Sequence, residues 1–192
     1  MVIYSHRWSK DGKSIFYTRS DPDEKGPAYS RSSYIYIYVH DISSGKEEVL
    51  PGSPSDAKDI DISPDGQWIV FLNRTAKRVL RTINTSVGEP RVLYSFEDMT
   101  NAVISPAWIA GGKYVLFHRY ANDSIEEESK ELVRIPAEGG QLQELGLKMS
   151  EFRHFSVHLD GRQVVFHSRG ANKELPEVWV MENFLPKNEG KK

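Results

Sequence analysis

Residues 62–71 read Ile62-Ser-Pro-Asp-Gly66-Gln-Trp-Ile-Val-Phe71, a glycine-containing turn followed by an apolar run that closes on an aromatic. Three other stretches repeat the pattern: Trp8-Ser-Lys-Asp-Gly12-Lys-Ser-Ile-Phe16-Tyr17, Trp108-Ile-Ala-Gly-Gly112-Lys-Tyr-Val-Leu-Phe117 and Val157-His-Leu-Asp-Gly161-Arg-Gln-Val-Val-Phe166. Their glycines lie 54, 46 and 49 residues apart. A period of that length marks a repeat architecture, in which one supersecondary unit recurs and stacks on its neighbours.

Each copy extends outward into four strands. A short segment precedes the turn: Ser5 to Trp8, Asp59 to Ile62, Ser105 to Trp108 and His154 to Val157. Asp-Gly predicts a tight hairpin whose two central residues both take positive φ. The second strands, Ser14 to Thr18, Trp68 to Leu72, Tyr114 to His118 and Gln163 to His167, are nearly continuous runs of β-branched and aromatic residues. Such runs suit strands covered on both faces. Third strands follow at Tyr34 to Val39, Arg78 to Ile83, Glu131 to Ile135 and Glu177 to Met181, and short outer strands at Glu48 to Leu50, Arg91 to Leu93 and Gln143 to Leu145. The fourth copy shows no outer strand. Turn-rich, four-stranded repeats without helical periodicity predict an all-β fold, a β-propeller of four-stranded antiparallel blades, with a sandwich of short strands as the alternative. The blades run over about 5–50, 59–93, 105–145 and 154–183, within a propeller region 1–186 followed by a charged tail at 187–192.

Composition narrows the function classes. With 25 basic against 27 acidic side chains the net charge is −2, which offers no general attraction for nucleic acid or an anionic membrane. The chain has no cysteine, which excludes disulfides, thiolate metal sites and a cysteine nucleophile. No apolar run approaches the length of a membrane-spanning helix. No nucleophile elbow, phosphate-cradling loop or paired-histidine zinc motif occurs. The residues therefore predict no catalytic group, no metal and no cofactor.

The repeated turn-and-aromatic segments resemble the TolB-like family of bacterial propellers, whose blades carry Trp-Ser-Pro-Asp-Gly-Lys-x-Ile-x-Phe. Ile62 to Phe71 matches most closely; Trp8 to Phe16 lacks the proline, Trp108 to Phe117 has Ala-Gly for Pro-Asp, and Leu159 replaces the proline of the fourth copy. The resemblance implies a WD40-like repeat protein with a binding role, a periplasmic or extracytoplasmic location, and more blades than four. The visible repeats then form the last blades of a larger ring, or close as four with Val2-Ile-Tyr4 supplying the outer strand of the last blade. Some serine peptidases carry a similar propeller beside their catalytic domain.

Rigid scaffolds with long polar loops bind through those loops. The longest are Arg19 to Arg31, Tyr120 to Ser129 and Arg169 to Lys173, on the face where the inner strands begin. The candidate partner-binding residues at that mouth are His6, Asp59, Asn101, Arg153 and His154, with Tyr4 and Lys58 beside them. The acidic run Glu126-Glu-Glu128, near Asp123, lacks the alternating ligands and glycine of a calcium loop. His154 and His158 stand about 13 Å apart in an extended strand at about 3.3 Å per residue, too far to share one ion. Asp11, Asp65 and Asp160 are expected to bond backbone N–H groups in their turns. The expected function is a noncatalytic module that binds a protein, peptide or small polar ligand. A propeller enzyme, or the propeller of a peptidase or lyase acting on polar polymers, is the alternative, and a purely structural spacer a third.

Overall fold

The computed structural model describes residues 2–20, 34–74, 78–96, 104–109, 111–120, 129–150, 153–158, 160–169 and 176–183. Asn101, Glu126 to Glu128, most of the three long loops and the charged tail lie outside these residues. The described chain is all β, in four antiparallel sheets that are the blades of a propeller. Blade 1 contains β1 (Val2–Trp8), β2 (Ser14–Ser20), β3 (Ile35–Asp41) and β4 (Glu47–Val49). Blade 2 contains β5 (Ala57–Ile62), β6 (Trp68–Arg74), β7 (Arg78–Asn84) and β8 (Arg91–Ser95). Blade 3 contains β9 (Ile104–Trp108), β10 (Tyr114–Tyr120), β11 (Ser129–Pro136) and β12 (Gln143–Ser150). Blade 4 has three strands, β13 (Arg153–Val157), β14 (Gln163–Arg169) and β15 (Pro176–Glu182).

The first hairpin of every blade closes in the same way. In blade 1, Ser9 N–H donates to the Ser14 carbonyl at 2.8 Å and Gly12 N–H to the Ser9 carbonyl at 3.0 Å; the equivalent pairs recur from Ser63, Ile109 and His158. Gly12, Gly66, Gly112 and Gly161 take positive φ, whereas Asp11, Asp65 and Asp160 do not. This corrects the expectation of two left-handed residues. The loop holds four residues between its closing pair, so the three Asp-Gly turns reverse with a single left-handed residue at the glycine, whereas in blade 3 Gly111 takes positive φ beside Gly112. The aspartates contribute through their side chains instead: Asp11 accepts from Lys13 N–H at 3.1 Å, Asp65 from Gln67 N–H at 3.0 Å and Asp160 from Arg162 N–H at 2.8 Å. These bonds hold all three carboxyls below the ordinary carboxylate range, with the Ser9 and Ser63 hydroxyls as the leading cause at Asp11 and Asp65.

A second device also recurs. Each inner strand, β1, β5, β9 and β13, carries one residue more than its partner opposes, a bulge near its N-terminal end. Asp59 and Ser105 occupy it with φ of 52° and 62°. Such a bulge bends the strand and increases its twist.

The core lies between blades. Phe16 and Ile37 of blade 1 pack on Ile69, Phe71 and Ile83 of blade 2. Val70, Leu72 and Leu80 of blade 2 meet Trp108, Val115 and Phe117 of blade 3. Leu116 and Leu132 of blade 3 meet Phe155, Val164 and Phe166 of blade 4. Alternate residues of one strand thus serve two interfaces, which explains the nearly continuous apolar runs. A polar connection crosses the same seams. Asp61 accepts Arg7 Nε at 2.7 Å through one carboxylate oxygen and the Trp108 backbone N–H at 2.8 Å through the other, joining blades 1, 2 and 3.

Inner strands touch in chain order, β1 to β5 to β9 to β13, and among the described residues no comparable contact leads from blade 4 back to blade 1. The outward flanks are correspondingly bare. Trp8 is 60% exposed while its repeat equivalent Trp108 is 6% exposed, and Val165, Val178 and Val180 are exposed on the far side of blade 4. On blade 1 the flank is polar and aromatic: Tyr17 stacks on Tyr38, Arg19 lies over the Tyr38 ring at 3.8 Å, and Glu47 accepts from Tyr17 and Arg19. Val2 and Ile3 pair with Ser20 and Arg19 inside blade 1. They do not supply the outer strand of blade 4, because the inner strand of blade 1 continues through them.

Candidate functional site

Around the predicted mouth, the structure brings Tyr4 and Lys58 together, with Lys58 Nζ 4.5 Å from the Tyr4 ring centre across the seam of blades 1 and 2. Asp59 sits in the β5 bulge, so a left-handed backbone rather than strand alternation aims its side chain. His6 is exposed and lies opposite Tyr17, which faces away from the Phe16 side of β2. That places His6 on the free flank of blade 1 and not beside Asp59. Arg153 and His154 open β13, with Arg153 opposite His167, and their side chains lie outside the described residues, as does all of Asn101.

A cavity opens on the other face of the disc, where the hairpin turns gather. It has a volume of about 350 Å³ and lies on the seam of blades 2 and 3. The turn of blade 2 (Ser63 to Asp65) and the turn glycines of blade 3 (Gly111 and Gly112) form its rim, and Lys10 reaches in from the blade 1 turn. Its walls carry Trp68, Thr82, Arg91 and Trp108, and Glu138 stands at its edge. A wider depression of about 740 Å³ between blades 1 and 2 is lined in part by Asp11 and Glu48. There Asp11 is bound to its own turn and Glu48 is paired with Lys46 at 2.7 Å.

Blade geometry explains the character of the smaller cavity. Trp68 begins β6 and Arg91 begins β8, so the two meet across blade 2 with the guanidinium carbon 4.8 Å from the indole centre. This stacking leaves the edge N–H groups of Arg91 uncommitted. Neither Arg91 nor Lys10 forms an ion pair among the described residues. Asp65 is occupied by its turn, with Lys10 near enough to help lower its carboxyl pKa. Trp108 is buried, and its indole N–H has no acceptor. A buried donor left without a partner costs about 1–3 kcal/mol. The site therefore presents the Lys10 ammonium and the Arg91 guanidinium, from two blades, without an ion pair among the described residues, while the buried Trp108 indole N–H is closed to solvent.

The reading from sequence located binding on the loop-rich mouth and treated Trp108 and the turn residues as scaffold. The available signal was the density of tryptophan beside polar turns, at Trp68 and Trp108, with Lys10 in the position of the family proline.

Comparison with solved structures fixes the fold. TolB from Acinetobacter baumannii superposes with a TM-score of 0.73 at 19% identity, over 95% of this chain and 41% of that one. The chain has a TolB-like β-propeller fold. The same TolB-like arrangement recurs in an acylaminoacyl peptidase from Pyrococcus horikoshii (TM-score 0.66, 13% identity, 95% of this chain and 31% of that chain). It recurs again in oligogalacturonate lyase from Vibrio parahaemolyticus (TM-score 0.63, 15% identity, 90% and 49%). This TolB-like propeller spans less than half the length of each. No family model and no curated protein matches the sequence.

Proposed function

We propose that this TolB-like propeller is a noncatalytic binding module, and that it holds its ligand or partner in the cavity between blades 2 and 3. One observation carries the reading: Lys10 and Arg91, supplied by two blades, line one cavity of about 350 Å³ and form no ion pair among the described residues. The volume falls within the range of small-ligand sites. Interblade cores on either side keep the donors preorganised, so little ordering accompanies binding. The carboxylate of Asp65 is locked into its turn, which suits a positioning role and not proton transfer.

The test is a saturation-transfer NMR screen of the full chain against amino acids, dipeptides, hexoses, uronic acids and dicarboxylates. It compares the parent with Ala137→Phe, which fills the cavity, and with the paired Lys58→Ala and Asp59→Ala changes at the opposite mouth. The reading expects binding to be lost in the first and kept in the second, with every ligand recovered chemically unchanged by mass spectrometry. The opposite pattern would move the site to the mouth, and turnover would make the protein an enzyme.

A further inference from the structure

We infer that the cavity between blades 2 and 3 selects a carboxylate, presented by a small organic acid or by the C-terminus of a peptide. The inference rests on the binding role proposed above and names its ligand class. Two chemistries compete for a site of this size with two indoles in its wall: a sugar or other neutral polyol that stacks on aromatic faces, and an anion held by donors. Burial decides between them. Trp108 is 6% exposed, so its ring face is not a free platform, and one face of Trp68 is covered by Arg91 at 4.8 Å. The open valences of the cavity are donors instead: the Arg91 guanidinium edge and the Lys10 ammonium.

A guanidinium laid flat on an aromatic ring keeps its fork of N–H groups in one plane, which matches the two oxygens of a carboxylate. Lys10 adds a compact charge from the neighbouring blade. The resident carboxylates do not take this place. Asp65 is held to its turn through Oδ1, which accepts from Ser63 and Gln67, and Glu138 is exposed at the rim without an ion pair among the described residues. Glu138 and Asp65 also set a limit on charge. A phosphate-sized dianion would meet two acceptors, whereas a single carboxylate needs only the Arg91 side of the cavity.

The test uses the indole N–H resonances of the full chain, one for each of Trp8, Trp68, Trp108 and Trp179. The probes are succinate against succinamide, and acetyl-Gly-Gly with a free against an amidated C-terminus. The expected result is that an acid form shifts Trp68 and Trp108 and leaves Trp8 and Trp179 in place, while its amide does nothing. Which acid binds more tightly tells a small diacid from a peptide end. Arg91→Ala should weaken the acid by at least about tenfold and Arg91→Lys by less, because lysine keeps the charge and loses the fork. Lys10→Ala, with the fold checked by circular dichroism, should weaken it about threefold.

Equal shifts by acid and amide, acid binding that survives Arg91→Ala, or binding that leaves Trp108 unmoved would each overturn the inference. A neutral probe that alone moves Trp68 and Trp108 would remove the carboxylate and leave the binding role standing. Silence of both indoles toward every compound in the screen would remove the role as well.

Discussion

Replacing Asp61 by alanine takes an acceptor from two neighbouring blades at once. Its contact with Arg7 is an ion pair with a 44% exposed arginine, and pairs of that kind contribute at most about 1 kcal/mol. The contact with Trp108 is a bond from a backbone N–H at 2.8 Å to a charged oxygen, worth about 1.5–3 kcal/mol. Asp61→Ala is therefore expected to cost about 2–4 kcal/mol and Arg7→Ala less than about 1 kcal/mol. Asp61→Asn keeps an oxygen for the Trp108 N–H and should fall between them, at about 1 kcal/mol. Urea denaturation followed by tryptophan fluorescence gives the three values, and a double-mutant cycle isolates the pair term. An Asp61→Ala chain no less stable than Arg7→Ala would show that the link to blade 3 contributes nothing, and the account of how the inner strands are tied together would fail.

Other changes test other parts of the structure. At Gly52, φ is 78° and an added Cβ would lie 2.2 Å from the Gly88 carbonyl oxygen, so Gly52→Ala should cost about 2–4 kcal/mol. Gly45→Ala, with φ of 69° and open space around it, should cost only about 1 kcal/mol, and the two urea midpoints compare clash with conformation alone. Trp108→Ala should cost about 3–5 kcal/mol and Trp8→Ala less than about 0.5 kcal/mol, because the same repeat position is buried in one blade and bare in the other. Burial, then the bond to Glu47, pushes the Tyr17 phenol up to about 12 from its ordinary 10. Below pH 10 both folded and unfolded chains keep this proton. Between pH 10 and 12 only the unfolded chain releases it, so stability should fall by about 1.4 kcal/mol per pH unit across that window. Tyr17→Phe should abolish that part of the alkaline loss, and an unchanged slope in denaturation curves from pH 9 to 12 would contradict it.

The strands were legible because a local signal and a long-range one coincide. Glycine at positions 12, 66, 112 and 161 supplies a left-handed residue in every turn, and the runs after it in blades 2 and 3 are apolar on both faces because each of those blades packs on two neighbours. The turn itself was misread where side chains enter. Ser9 and Ser63 accept from Ser14 and Trp68 N–H and also donate to the turn aspartates, which stabilises a four-residue loop that the Asp-Gly pair alone does not specify. The cavity was illegible for a different reason. Lys10, Trp68, Arg91 and Trp108 come from three repeats, and periodicity says that repeats stack without saying which side chains end up unpaired at a seam. Burial of an indole N–H without an acceptor is a property of coordinates, not of residue order. The bulges at Asp59 and Ser105 share that character, since one extra residue in a strand shows only against its partner.

Placing every apolar cluster between sheets instead of inside one has a consequence for dissecting the molecule. Excising blade 3 would uncover the Val70–Leu72 surface on one side and Val164–Phe166 on the other, so a single deletion strips two clusters at once. Shortened versions are tolerable only when cut from an end, where one seam is lost. An internal cut demands that two surfaces shaped for different partners meet, and the smallest unit that can retain a complete hydrophobic centre is a pair of adjacent blades.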